Sequence, residues 1–340
     1  VISNKTIKVL VVDDSIFFRE WVSRGLSEEP GIEVVATAKD PFDARDKILM
    51  YKPDVMTCDV EMPKMNGIEF IRKLLPQYPI PVIVVSSISN AVFEAMNAGA
   101  VDFVVKPEAG RQNLNQFIKD LVEKIKIASN AKIIQNKEVK GIYTDKANES
   151  YNSYKIIAIG ASTGGTEAIF KILKELPPTV PGIVIVQHIP PVFSKMFAER
   201  LNKFTDLEVK EAETGDYVER GKALIAPGDK HMIVRKIADR LKVECFAGEK
   251  VNGHCPSVDV LFESVAETAG KDAIGVILTG MGSDGAKGLL SMRRNGAYTI
   301  GQDESSSVVY GMPRVAYNIG AVRKQYPLNK IASSLVEVLK

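Results

Sequence analysis

Cysteine and histidine are scarce in this chain. Three cysteines, Cys58, Cys245 and Cys255, are spread over 340 residues with no paired spacing. That pattern excludes a disulfide framework and a cysteine-based zinc site, and it fits a reducing compartment, the cytoplasm. Long hydrophobic runs are also missing. The apolar stretch Val9 to Val12 is ended at once by Asp13 and Asp14, too soon for the core of a signal peptide. Nothing approaches the roughly 18–20 apolar residues of a membrane span, so direct membrane insertion is not expected. Charge of one sign is not in excess either: 44 Lys and Arg against 42 Asp and Glu leave a net charge of +2. That balance removes the electrostatic reason to expect nucleic acid as a partner. The chain also lacks the Gly-Lys-Ser/Thr run of a P-loop and the G-x-G-x-x-G of a dinucleotide fold.

What is present is an ordinary globular composition, 45% hydrophobic and 25% charged, in a chain long enough for two domains. Residues 1–125 alternate β-branched runs with amphipathic stretches. Ile7 to Val12, Glu33 to Thr37, Asp54 to Cys58, Pro81 to Ser86 and Asp102 to Val105 read as buried strands, with helices such as Phe17 to Leu26 and Pro41 to Leu49 between them. Five strands alternating with five helices predict a doubly wound parallel sheet of α/β class. Residues 126–153 turn polar and lose apolar periodicity, which reads as a linker with the last turns of a helix at its head. Residues 154–340 resume the alternation at Lys155 to Ile159, Gly182 to Gln187, Ala223 to Ala226, Ala273 to Leu278 and Ala297 to Ile300. This is a second α/β domain with a mostly parallel sheet. A two-stranded meander is expected over Met232 to Cys245, with Asp239-Arg240 between its apolar runs, and the closing IASSLVEVLK reads as a terminal helix.

In such sheets the chemistry sits at the carboxyl ends of the strands. In the first domain Asp13-Asp14, Asp59, Ser86 and Lys106 all fall there. Three carboxylates on one rim repel one another unless a cation lies among them, and an all-oxygen donor set suits Mg²⁺. A carboxylate then attacks phosphorus while the metal and Lys106 offset the developing charge, and Ser86 is placed to hydrogen-bond the phosphoryl group. The stretches "VLVVDDS", "TCDVEMPKMNG", "VVSSIS" and "DFVVKP" resemble the motifs of a bacterial response-regulator receiver domain, over residues 7 to about 125. The resemblance implies a flavodoxin-like sheet, Asp59 as phospho-acceptor, Asp13 and Asp14 as Mg²⁺ ligands with Asp59, Ser86 as switch hydroxyl, Lys106 as phosphate-sensing lysine and Phe103 as switch aromatic.

In the second domain Gly160-Ala-Ser162-Thr-Gly164 is a G-x-S-x-G following a predicted strand and opening a helix. That is the context of a nucleophile elbow, in which glycines let the hydroxyl project from a strained turn. The same loop, with Gly164-Gly165 at a helix N-terminus, equally suits an anion. A serine nucleophile needs a base, and the chain has three histidines. His188 ends the next strand on the same rim as Ser162. His231 follows a Pro-Gly turn and reads as structural, and His254 lies in a glycine-containing loop beside Cys255. Asp284, in the glycine-rich loop after another apolar strand, is the acid on that rim. Asp303 is the second choice, Asp272 lies at the wrong strand end, and Asp259 reads as a solvated or capping residue on a helix.

The stretches "IGASTGGTEAI", "IVQHIPPVFSKMFAERL", "IAPGDKHM", "GHCPSVDVLFESVA", "ILTGMGSDGAKGLL" and "DESSSVVYGMPRVA" resemble the catalytic domain of the chemotaxis protein-glutamate methylesterases, over residues 154 to about 335. That resemblance implies a triad of Ser162, His188 and Asp284, with the backbone N–H groups of Thr163 and Met281 as oxyanion donors. It implies hydrolysis of glutamate methyl esters on the cytoplasmic domains of chemoreceptors with release of methanol, deamidation of receptor glutamines, and no cofactor for the ester step. A chemotaxis histidine kinase is the implied phosphodonor, and phosphorylation relieves an occlusion of the esterase. The rival class is a response regulator whose output domain binds a partner or nucleotide without catalysis.

Overall fold

The computed structural model describes residues 6–87, 90–107, 114–133 and 156–340. The chain divides into two compact units, residues 1–137 and 138–340. The expected linker falls largely outside the described residues, as do Ile88 and Ser89 of the "VVSSIS" stretch.

The first unit runs β1 (Ile7–Val12), α1 (Ile16–Ser27), β2 (Ile32–Ala38), α2 (Pro41–Tyr51), β3 (Val55–Asp59), α3 (Gly67–Leu74), β4 (Val82–Ser86), α4 (Asn90–Asn97), β5 (Asp102–Val105) and α5 (Leu114–Ala128). Its five strands lie in the order β2-β1-β3-β4-β5, every pair parallel. The order reverses between β1 and β3, so their carboxyl ends open the crevice in which such sheets bind ligands. Local chemistry starts the helices where they begin. Ser15 caps α1 through Phe18 N–H (3.3 Å), and Asn66 caps α3 through Glu69 N–H (2.8 Å). Asp40 accepts from the N–H groups of Phe42 and Asp43, with Pro41 at the first helical turn. Gly67 is glycine for want of room, since a Cβ there would lie 2.0 Å from the Asp59 carbonyl oxygen. Helix α5 carries three residues beyond position 125, to Ala128.

The second unit runs β6 (Ile156–Ala161), α6 (Gly165–Glu175), β7 (Ile183–Gln187), α7 (Phe193–Phe204), β8 (Glu208–Glu211), β9 (Lys222–Ile225), β10 (His231–Ile237), β11 (Arg240–Phe246), α8 (Val258–Ala269), β12 (Ala273–Ile277), α9 (Ala286–Arg294), β13 (Tyr298–Gln302), α10 (Met312–Asn318), β14 (Lys324–Tyr326) and α11 (Leu328–Leu339). Seven strands form one parallel sheet in the order β14-β13-β12-β6-β7-β9-β8. The order turns back between β6 and β12, which places the second crevice at the loops after those strands. The edge strands β8 (EVKE) and β14 (KQY) are polar, as befits strands that carry an unpaired side, and so escape a search for apolar runs. The antiparallel pair β10–β11 matches the expected meander, but Ile237 pairs with Arg240, so the turn residues are Ala238 and Asp239 rather than Asp239 and Arg240. Among the described residues no helix is long and apolar enough to cross a membrane.

Helix α8 packs against the sheet face through Val258, Leu261, Phe262 and Val265, all fully buried. It approaches β6 closely enough that a Cβ on Gly160 would fall 2.1 Å from Val258 Cγ1. The first glycine of G-x-S-x-G therefore serves close helix–strand packing. Gly160→Ala is expected to destabilise the second unit by about 1–3 kcal/mol, the usual consequence of overpacking. Thermal denaturation checks this, and adding Val258→Ala should restore part of the lost melting temperature.

Candidate active site

Ser162 and His188 each follow the last residue of neighbouring strands, where Ala161 pairs with Gln187. Adjacent strands lie about 4.8 Å apart. His188 N–H donates to the Ala161 carbonyl at 3.1 Å. The Gln187 side-chain amide then joins the two loops, donating to the carbonyls of both Ser162 and His188 at 3.0 Å each. Within the turn, positive φ falls on a glycine, Gly164 (φ 77), which caps α6. Ser162 is held by its backbone, with its N–H donated to Thr279 O at 3.0 Å.

Asp284 reaches the same edge from the loop after β12. Its carboxylate is 1% exposed and accepts five hydrogen bonds. Oδ1 takes Ser257 Oγ (2.7 Å), Asn252 Nδ2 (2.8 Å) and Asp259 N–H (3.2 Å). Oδ2 takes Val258 N–H (2.7 Å) and His188 Nε2 (2.8 Å). Ser257 is the N-cap of α8, so the carboxylate sits on the positive end of a twelve-residue helix. Burial opposes its ionisation. The His188 hydrogen bond and charge, with Asn252 and the Val258 N–H, outweigh that and hold it well below the usual carboxylate range. An ionised acceptor requires His188 Nε2 to carry the hydrogen. His188 Nδ1 is then left with its lone pair, and it is buried with no hydrogen-bond partner among the described residues. The Ser162 hydroxyl, at the next strand end, is likewise without a hydrogen bond among them.

Gly280 abuts the serine: a Cβ there would stand 2.7 Å from Ser162 Cβ. The next residue, Met281, is 48% exposed, and its N–H donates to no acceptor among the described residues. Thr163 is buried, and its carbonyl accepts from Thr279 Oγ1 at 3.0 Å.

The other candidates fall away or change meaning. His231 is buried and structural, with Nε2 on Glu249 O (2.8 Å) and Nδ1 accepting Ser257 N–H (3.2 Å). Asp303 spends its carboxylate on Ser305 and Ser306 in its own loop. Asp259 is not solvated. It is 5% exposed, accepts Gly288 N–H (2.7 Å) and Asn252 (2.8 Å), and burial raises its pKa. His254 comes closer than its sequence context suggests: its ring stacks on His188, centroids 3.7 Å apart and planes 14° apart. Nothing local in the sequence announces this contact, or the Gln187 and Asn252 bridges, because each depends on loops meeting across the sheet.

In the first unit Asp13 and Asp59 are buried at the β1/β3 crevice and Asp14 is exposed beside them. Ligand oxygens of the three lie within 4.8 Å of one another. Lys106 bridges two of them, its Nζ 2.6 Å from Asp59 Oδ2 and 2.7 Å from Asp13 Oδ2. Burial pushes the Asp59 carboxyl up to about 6 against the pull of Lys106. A donor set of carboxylate oxygens alone, short of positive charge, fits a hard divalent cation such as Mg²⁺. Ser86 and Phe103 are both buried, on the neighbouring strands β4 and β5. Lys106 also lies 4.7 Å from the ring centre of Phe18, which in turn contacts Trp21 at 5.5 Å.

Comparison with known proteins agrees with this architecture. A family model described as CheB methylesterase matches residues 157–335, and one described as response regulator receiver domain matches residues 9–119. The chain is 57% identical over 336 residues to a protein-glutamate methylesterase/protein-glutamine glutaminase 2 of Syntrophomonas wolfei, covering 98% of each chain. It is 47% identical over 335 residues to the protein-glutamate methylesterase/protein-glutamine glutaminase of Salmonella typhimurium, covering 97% of this chain and 96% of that one. The solved Thermotoga maritima CheB methylesterase catalytic domain superimposes with a TM-score of 0.53 at 39% identity, over 54% of this chain and 98% of that one. The chain therefore belongs to the CheB methylesterase family, with a receiver domain ahead of its methylesterase domain.

Proposed function

We propose that the second unit hydrolyses γ-glutamyl methyl esters on the cytoplasmic helices of chemoreceptors through Ser162, His188 and Asp284. The observation that carries this reading is the 2.8 Å His188–Asp284 bond, which leaves a buried, basic Nδ1 at the strand end beside Ser162. Ser162 Oγ attacks the ester carbonyl as its proton passes to Nδ1. The Met281 and Thr163 N–H groups receive the oxyanion. Collapse breaks the bond to the methoxy oxygen, which leaves as methanol with the proton from His188. Water, deprotonated by the same nitrogen, cleaves the acyl-enzyme to free glutamate and regenerate Ser162. Asp284 keeps Nε2–H in place and stabilises the imidazolium. A glutamine side chain follows the same course with ammonia as leaving group.

The first unit is the regulator in this reading. Asp59 accepts a phosphoryl group from a chemotaxis histidine kinase, and Asp13, Asp14 and Asp59 hold Mg²⁺, which when bound offsets the charge of the phosphoryl oxygens. Lys106 exchanges its carboxylate contacts for the phosphoryl group, and Ser86 and Phe103 respond to it.

Ser162→Ala is expected to lower methanol release from methylated receptor membranes by roughly 10⁴-fold or more. Asp284→Asn should lower it by about 10⁴-fold, because the amide favours the wrong tautomer of His188. Near wild-type turnover in Ser162→Ala would remove the nucleophile. For the regulator, acetyl phosphate with Mg²⁺ should stimulate the esterase of the wild type and not of Asp59→Asn. Because Lys106 touches Phe18 and Phe18 touches the single tryptophan, the same treatment should change Trp21 fluorescence in the wild type alone. A fluorescence change that persists in Asp59→Asn would place the acceptor elsewhere.

A further inference from the structure

The segment Val251–His254 is a two-residue hairpin turn. Val251 and His254 exchange backbone hydrogen bonds of 3.0 Å in both directions. The central pair, Asn252 (φ 53) and Gly253 (φ 85), takes the positive φ angles of a type I′ turn, for which Asn-Gly is the preferred sequence. The turn grips the His188–Asp284 pair from two sides. The Asn252 amide donates one hydrogen to Asp284 Oδ1 and the other to Asp259 Oδ2, both at 2.8 Å. The His254 ring lies flat on the His188 ring at 3.7 Å.

One hydrogen bond does not orient an imidazole. With only Nε2 held by Asp284, the His188 ring can rock about that bond and swing Nδ1 away from Ser162. A flat ring against its face removes this freedom and also shields that face from water. We propose that His254 is a positioning residue for the esterase: stacked on His188 and held by the Asn252-Gly253 turn, it fixes the plane in which Nδ1 meets Ser162. This rests on the reading of His188 as the base.

The chemistry of the contact agrees. The charged groups acting on His254 are His188 at the end of β7, Asp284 in the loop after β12 and Lys250 on its own segment. Burial first, then His188, lowers its pKa to about 4, so near neutral pH it offers an uncharged ring. Such a face tolerates, and as a π-system favours, the positive charge that His188 acquires when it takes the serine proton. A flat, uncharged ring is thus the property required, and hydrogen bonding by His254 is not.

The test compares full-length wild type, His254→Ala, His254→Phe and Ser162→Ala. The readouts are kcat and KM for methanol release from methylated receptor membranes, and the strongly downfield proton resonance of the His188–Asp284 hydrogen bond. His254→Ala should lower kcat roughly 10- to 100-fold, as for a small misplacement of a reacting group, with KM within about two-fold and the downfield resonance broadened. His254→Phe, which keeps the ring and discards both nitrogens, should recover kcat to within about three-fold and sharpen the resonance. Wild-type kcat in a folded His254→Ala would overturn the proposal. So would a His254→Phe protein at least 10-fold slower than wild type with a wild-type resonance, and this arm decides the matter if the alanine variant does not fold. Retained turnover in Ser162→Ala would instead bring down the underlying triad, so the two failures are distinguishable.

Discussion

A carboxylate taken out of water must be given back an equivalent environment, and the C-terminal unit is arranged around that requirement at Asp284. An uncompensated buried charge is prohibitively unfavourable. Here the compensation comes from the first turn of α8, its cap Ser257, the Asn252 amide and His188. These partners arrive from separate parts of the chain, so satisfying one side chain locks together the start of α8, the turn at 251–254 and the ends of β7 and β12. Gly160 belongs to the same arrangement: it admits Val258, whose N–H is one of the donors, close against β6.

The two units of this CheB-family chain treat buried acid in opposite ways. Asp284 is matched first by His188 and then by fixed donors, the Asn252 amide and a helix end, and its pKa is held low. Asp59 and Asp13 are matched mainly by the ammonium of Lys106, at the end of a long flexible side chain, and Asp59 remains poorly compensated. Rigid compensation suits a group that must hold a partner's orientation through a reaction. Under the proposed function, compensation by one movable cation suits a group that is to be chemically altered, because the cation can follow the new charge.

Much of this was legible in the residues. Buried parallel strands announce themselves as short β-branched runs, and the chemistry of doubly wound sheets is confined to known strand ends, so Asp13, Asp59, Lys106, Ser162, His188 and Asp284 could be picked out by position. The polar edge strands β8 and β14 could not, because their side chains meet solvent and their pairing is written in the neighbouring strand. Nor could the contacts that refine the site. Asn252-Gly253 signals a tight turn in any sequence, but that its amide bridges two carboxylates and its neighbouring histidine covers another depends on where α8 begins relative to β12. G-x-S-x-G fixes two glycines without saying which needs positive φ, and here Gly160 answers to packing and Gly164 to backbone conformation.

The pairing of β6 with β12 joins the first strand of the C-terminal unit to one far along it in sequence, and His188 meets an acid 96 residues further along the chain. Contacts so distant in sequence form late. During synthesis the N-terminal sheet, whose strand neighbours are close in sequence, can complete itself while the ribosome is still making the middle of the hydrolase. A translation product cut short before β12 would contain every receiver residue and no assembled crevice between β6 and β12. Such a fragment would hold the acidic crevice of the first sheet and lack Asp284, so in this order of domains the first crevice can form without the second.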